Sequence, residues 1–354
     1  MPITVHAPAR TRRLLTAATA TALALVLAAC GSPAPADESA APAPDEPLTV
    51  YSGRSENRVQ EILDRFETES GIPLDIRYGD TAELVAQILE EGDASPADVF
   101  FAQDAGALGA LSEVGRLVPL SPGTTDGVVD GYVAADRSWT ATTARARVIT
   151  YDAQELSPEE LPQSLDDLLD PRWAGRIGFP PGNSSFNTFV TAVRLDRGDD
   201  GAREWLEAFL AQDPERFSNN HGVIDAIENG QVDIGLTNHY YIYSRMDELG
   251  EENVRTRNHH VGGDPLGLVN VAGAGVMDTA DDPARAEQLI AYLTAPEAQQ
   301  WFTDTSGEYA VRDGITSATY EMPGIADLRQ PDIELADLRS LDETLEMLQE
   351  LGLT

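Results

Sequence analysis

From Leu48 onward the chain alternates short apolar runs with amphipathic stretches, and this alternation restricts the fold more than any other feature. Leu48 to Tyr51 reads as a strand, Ser55 to Ser70 as an amphipathic helix and Ile72 to Tyr78 as a second strand. Asp80 is placed to cap a helix running to about Glu91, with Glu83 positioned for a capping box, and Asp98 to Phe101 gives a third strand. Such alternation implies an α/β fold with a mostly parallel sheet and helices on both faces. Sheets of this kind take ligands in the crevice beyond the carboxyl ends of their strands.

The pattern restarts around Arg145 to Tyr151, a strand that places Arg145, Arg147, Ile149 and Tyr151 on one side and marks a crossing into a second αβ unit. That unit contains a strand at Ile177 to Phe179, helices from about Phe186 and from about Gly222 to Asn229, and a strand at Val232 to Leu236. The chain is expected to return near Leu266 to Val276. A helical stretch follows from Asp281 to Thr303, and a last helix runs from Leu341 to Leu351, with Ser340 and Glu343 spaced as a capping box. The expected organisation is one lobe from residues 48–144 and 266–354 and a second from residues 145–265. The roughly 300 residues involved suit two domains.

The region before Leu48 reads as export and attachment. Arg10, Arg12 and Arg13 precede an apolar run from Leu14 to Ala29 that stops at Cys30, the chain's one cysteine, so residues 1–30 read as a signal segment. Leu27-Ala28-Ala29-Cys30 resembles the lipobox of bacterial lipoproteins, which implies that Cys30 carries a lipid anchor at the outer face of the cytoplasmic membrane. Residues 31–47, rich in Pro, Ala, Ser, Asp and Glu, read as a disordered tether. With that cysteine so used, the folded part must rely on its hydrophobic core. A net charge of -36 and a pI near 4.2 argue against nucleic acid or anionic lipid as partners and permit a cationic cargo.

The segment with the most chemistry is Leu236-Thr237-Asn238-His239-Tyr240-Tyr241, where a buried-looking strand gives way to a helix reaching about Leu249, with Asn238 suited to the N-cap. Neighbouring side chains point apart on a strand and diverge by about 100° on a helix, so adjacent tyrosines share one ligand only near such a corner. The helix start also favours a nearby anion, and a bound trivalent cation drives a phenol of ordinary pKa about 10 to ionise. The bland alternative is two tyrosines packed at a helix start.

The order of Val50-Tyr51-Ser52-Gly53-Arg54, Pro96-Ala97-Asp98-Val99-Phe100-Phe101, Arg145-Ala146-Arg147-Val148, Trp173-Ala174-Gly175-Arg176-Ile177-Gly178, Asn238-His239-Tyr240-Tyr241 and Glu308-Tyr309 resembles the ferric-iron-binding proteins of bacterial ABC importers. The resemblance spans nearly the whole folded chain. It implies a two-lobed, type II periplasmic-binding-protein fold with the ligand cleft at the hinge, Fe(III) as cargo, and Tyr240 and Tyr241 as phenolate ligands. It also implies carbonate or phosphate as a companion anion, an ABC permease as partner, a monomer, and membrane contact through the lipid anchor alone. Where relatives carry a histidine this chain has Ser55, and where others carry a tyrosine it has Glu56. Glu56 is the expected third ligand, with an ordinary first-turn helix role as its alternative. Gln103 replaces a glutamate of some relatives, and Phe186 a tyrosine of others. The anion falls by resemblance to Ser184, Ser185, Arg145 and Asn220, with Ser55 and Gln103 close by.

Other candidates have plainer readings. His259-His260 lies in a polar loop and reads as solvated, His239 reads as bonded locally, Arg147 as structural, and Tyr51 and Tyr151 as core or hinge. No nucleophile elbow, Walker loop, HExxH or cysteine pair is present, so enzyme activity is not expected. Two rivals remain. One is the same fold holding a polyamine, thiamine or a phosphonate against the tyrosines; the other is a secreted hydrolase.

Overall fold

The computed structural model describes residues 46–353. The expected signal segment, the expected lipidation site Cys30 and tether residues 31–45 lie outside the described residues. The first unit runs β1 (Leu48–Ser52), α1 (Glu56–Ser70), β2 (Leu74–Tyr78), α2 (Thr81–Glu91), β3 (Val99–Ala102), α3 (Ala105–Glu113) and β4 (Leu117–Val118). Helix α1 buries Val59, Ile62, Leu63 and Phe66, a stripe at helical spacing, and stops at Gly71, whose φ of 72° suits glycine. Asp80 caps α2 by accepting from the amides of Ala82 and Glu83.

The crossing strand β5 (Thr140–Asp152) is 13 residues long and buried throughout. It starts five residues before Arg145, because Thr140 to Ala144 lack an apolar pattern yet pair with the returning strand. Beyond it come β6 (Ile177–Phe179), α4 (Ser184–Leu210), β7 (Glu215–Arg216), α5 (Asn220–Glu228), β8 (Ile234–Asn238), α6 (Tyr241–Leu249), β9 (Thr256–His259), β10 (Val269–Met277), α7 (Pro283–Thr294), α8 (Pro296–Ser306) and α9 (Leu341–Glu350). The stretch expected to be one helix over Asp281 to Thr303 is broken at Ala295 by Pro296, which starts α8.

The strands order β2-β1-β3-β10-β5-β8-β6-β7, with β4 on β10 and β9 on β5. Each end of the sheet is parallel, β2-β1-β3 in one lobe and β8-β6-β7 in the other. The middle is antiparallel, since β5 carries the chain across and β10 brings it back. Residues 140–146 of β5 pair with β10 and residues 147–151 with β8, placing Arg145 opposite Asn270 and Arg147 opposite Asn238. Two adjacent arginines of one alternating face therefore sit where the lobes join.

The second lobe centres on Trp173, Phe179, Phe186, Phe189, Trp205 and Phe209. Helix α9 belongs to this core, contrary to the expected return of residues 266–354 to the first lobe. Met347, Leu348 and Leu353 join the aromatic cluster, and the Thr344 and Thr191 hydroxyls bond at 2.8 Å. Ser340 makes no cap to α9. Its carbonyl instead accepts from Arg194 at 2.7 Å, which ties the helix start to α4. No helix among the described residues is long and apolar enough to cross a membrane.

Candidate metal centre

Strand β8 ends at Asn238, His239 turns the chain, and Tyr240 stands as the N-cap of α6 with φ -73° and ψ -13°. Asn238 does not cap this helix as expected; its side-chain oxygen accepts from Arg147 Nη1 at 3.1 Å. Because Tyr240 precedes the helix and Tyr241 opens it, their rings do not splay. They stack with centroids 4.5 Å apart and planes 30° from parallel. Burial pushes the Tyr241 phenol up, and Tyr240 adds to this, while the Asn220 amide and the Arg58 charge pull the other way. The protein alone thus leaves Tyr241 protonated at neutral pH.

His239 is fixed by its partners. Its Nδ1 accepts from the Ala146 amide at 3.2 Å, its Nε2 donates to the Gly307 carbonyl at 2.7 Å, and its ring stacks on Tyr309 at 4.3 Å. Burial holds the imidazole near 3, and both nitrogens are engaged, so His239 bonds locally. The other histidines differ from the solvated loop expected: His259 ends β9, and His260 lines a separate cavity of about 710 Å³ behind α6, with burial lowering it to about 4.

The tyrosines face a cleft of about 560 Å³ between the lobes. Its second-lobe wall includes Asn183, Ser184, Ser185 and Asn238, and Arg145 and Arg147 rise from β5. Asn183 caps α4, and its Oδ1 accepts from the Ser185 amide, the Ser185 hydroxyl at 2.6 Å and Asn220 Nδ2 at 3.1 Å. Arg147, which sequence reasoning left as structural, lines the cleft and donates to Ser185 Oγ at 3.2 Å. Arg145 gives one nitrogen to the Gln103 carbonyl, while its other terminal nitrogen, Nη1, is buried with no partner. A buried guanidinium nitrogen with an unmade bond beside a cleft has the chemistry to receive an anion. Asn220 Oδ1 is likewise buried without a partner.

The first lobe contributes differently. Gln103 lines the cleft but is spoken for, since its oxygen accepts from Arg54 Nη1 at 2.9 Å. Arg54 also grips Glu308 in a bidentate pair of 3.1 and 2.6 Å, joining the two ends of the fold in a buried ion pair that the sequence reading matched without assigning a role. Ser55 and Glu56 are exposed at the start of α1 and are not among the residues lining the cleft. Phe186 is packed against Phe179 and Phe189 in the second-lobe core. What α1 does bring to the pair is Arg58, its guanidinium 5.1 Å from the Tyr240 ring centre. Nothing in the helical pattern of α1 singles Arg58 out; only the fold juxtaposes it with Tyr240. Among the described residues no group of three or more His, Cys, Asp and Glu is placed to hold a metal ion.

Residues 94–331 match the family of bacterial extracellular solute-binding proteins. The chain is 32% identical over 310 residues to the major ferric iron-binding protein of Neisseria meningitidis, covering 86% of this chain and 93% of that one. It is 30% identical over 315 residues to the Fe(3+)-binding periplasmic protein of Serratia marcescens, covering 88% and 92%. Iron-bound HitA from Pseudomonas aeruginosa superposes with a TM-score of 0.76 at 35% identity, over 86% of this chain and 99% of that structure.

Proposed function

The chain belongs to the bacterial extracellular solute-binding proteins and groups with their ferric-iron-binding members, and from that premise we propose that it captures Fe(III) in the interlobe cleft for an uptake system. It is a binding protein of the transport type rather than an enzyme. The observation that carries the metal reading is the stacked pair Tyr240 and Tyr241 on the cleft wall, beside the unpartnered Nη1 of Arg145.

In this reading both phenols lose their protons to the incoming cation, whose charge outweighs the burial that holds Tyr241 up. Of the first-lobe oxygens on the cleft wall, Gln103 Oε1 accepts from Arg54 and Asp104 Oδ1 accepts from the Ala107 amide, so in this reading the remaining positions on iron fall to a carbonate- or phosphate-like anion. Arg145 Nη1 and the start of α4 at Ser184 and Ser185 receive that anion, with Asn220 bracing Ser185. Strands β5 and β10 are the hinge about which the lobes close. The closed monomer then docks on an ABC permease, held near it by a lipid on Cys30. Release follows loss of the anion, reduction of the metal or protonation of the phenols.

One observation favours a second reading. Val85, Ala86, Leu89 and Leu338 give the cleft an apolar side, which suits a small organic ligand such as a polyamine, thiamine or a phosphonate. The two readings separate on one experiment: ferric citrate and bicarbonate are added to the purified protein and the visible spectrum is followed. A phenolate-to-iron band that vanishes in the Tyr240→Phe/Tyr241→Phe double variant is expected. No band in the wild type, or a band that survives the double substitution, overturns the metal reading.

A further inference from the structure

Helix α1 presents a cation to the tyrosine pair in place of a ligand. The Arg58 guanidinium lies 5.1 Å from the Tyr240 ring centre, and Tyr241 lies 4.5 Å from the same ring, so two planar groups bracket the orientation of this phenol. Arg58 comes from the first lobe and Tyr240 from the second.

The carboxylates around Arg58 are committed elsewhere. Glu308 is held bidentate by Arg54. Arg58 also borders a cavity of about 300 Å³ with Glu61 and Asp247. Glu61 accepts from Trp301 Nε1 at 3.2 Å, and Asp247 from the Tyr320 hydroxyl at 2.7 Å. Among the described residues Arg58 forms no ion pair, in a chain with 60 acidic and 24 basic residues, where an arginine has no shortage of carboxylates to join. The aromatic face of Tyr240 is its close partner.

We propose that Arg58 is a positioning residue for the cargo: it holds the Tyr240 ring with its oxygen toward the cleft and ties that second-lobe ligand to the first lobe. The inference rests on the reading of Tyr240 as an iron ligand. A guanidinium attracts the face of a neutral phenol and attracts a phenolate more strongly, so the contact persists and tightens as the ring takes negative charge. It also spans the lobes, so it exists only while they are close. Arg58 therefore favours the closed arrangement through the metal ligand itself, where Ser55 and Glu56, exposed one turn earlier, do not reach.

The test uses the full-length protein loaded from ferric citrate with bicarbonate, in wild type, Arg58→Met and Arg58→Lys. Arg58→Met keeps the apolar stem and removes the charge. Its iron is expected to be stripped by excess EDTA about five-fold faster than from wild type, with the phenolate-to-iron band shifted in wavelength. Arg58→Lys, which keeps a cation, is expected to recover most of both, and the thermal midpoint of the iron-free Met variant is expected to match wild type. A normal wild-type band with unchanged stripping rate and wavelength in Arg58→Met overturns the inference while leaving the tyrosinate reading intact. Equal losses in the Met and Lys variants, together with a lowered thermal midpoint, overturn it in favour of a merely structural role. A wild type without the band overturns the tyrosinate reading and this inference with it.

Discussion

The two walls of the cleft are built on different chemistry. The second-lobe wall is polar and already arranged: stacked phenols at the start of α6, a capped α4 whose Ser185 is held by Asn183, and Arg147 bonded to both Ser185 and Asn238. The first-lobe wall is largely apolar along α2 and α3; of its polar members, Gln103 is held by Arg54 and Asp104 Oδ1 caps α3 at the amide of Ala107. If Tyr240 and Tyr241 hold the cargo as proposed, the contrast implies that it seats on one lobe before the other arrives. On the proposed reading, closure then adds charge, through Arg58, and shields the site from water more than it adds ligands.

If the first lobe contributes structure where the second contributes ligation, the largest effect on folding should come from the ion pair that joins the fold's two ends. Glu308→Ala, which strands Arg54 in the interior, is expected to lower stability by about 3–5 kcal/mol in urea denaturation. A loss under about 1 kcal/mol would mean that water reaches Arg54 and that the pair is not structural.

Acid should reach the two sides in sequence. Burial depresses the His239 imidazole from 6.5 to about 3, so its contribution is complete above pH 6.5 and is lost as pH falls toward 3. Burial raises the Glu308 carboxyl, but Arg54 outweighs it and holds the group near 2, so that contribution is present above about 4.5 and fades only as pH falls toward 2. Stability measured against pH is expected to fall less steeply below about 6.5 in His239→Gln than in wild type, the remaining loss coming from His260, which burial lowers to about 4. Superposable profiles would contradict the assignment of His239 as a buried neutral group.

Smaller effects probe the ligand count. Phe186→Tyr supplies the phenol that the resemblance implies at this position, yet here it would put a hydroxyl among Phe179 and Phe189. It is expected to cost about 1–3 kcal/mol of stability and to leave iron affinity unchanged. Tighter iron binding by that variant would show that the α4 start can swing a side chain into the cleft. Glu56→Gln, at an exposed position outside the cleft lining, is expected to change iron affinity by less than about two-fold in competition with citrate. A ten-fold loss would return Glu56 to the ligand set.

Most of the architecture was readable in the chain because strand and helix periods are local. The apolar stripe of α1, the Asp80 cap and the strand-to-helix corner at Tyr240 all follow from residues within one or two turns of each other. What escaped depends on distant partners. Asn238 looked like a cap, but Arg147, 91 positions away, takes its side chain. Residues 341–353 looked like part of the first lobe, but Met347 and Leu348 fit the gap beside α4. Arg58 carries no local signal, since an arginine on a helix is ordinarily a solvated residue. The tyrosine pair was legible because both of its members are adjacent; its companions Arg58, Arg145, Ser185 and Asn220 come from four separated stretches of chain.

The central claim is that the protein ligands to iron come from the second lobe alone. Crystals grown with ferric iron and bicarbonate, with the metal located by anomalous scattering at the iron edge, test it directly. The account predicts one iron bonded to the phenolate oxygens of Tyr240 and Tyr241, an anion against Arg145, and no side-chain ligand from the first lobe. Iron held by Glu56 or Gln103, or seated away from the two tyrosines, would contradict it.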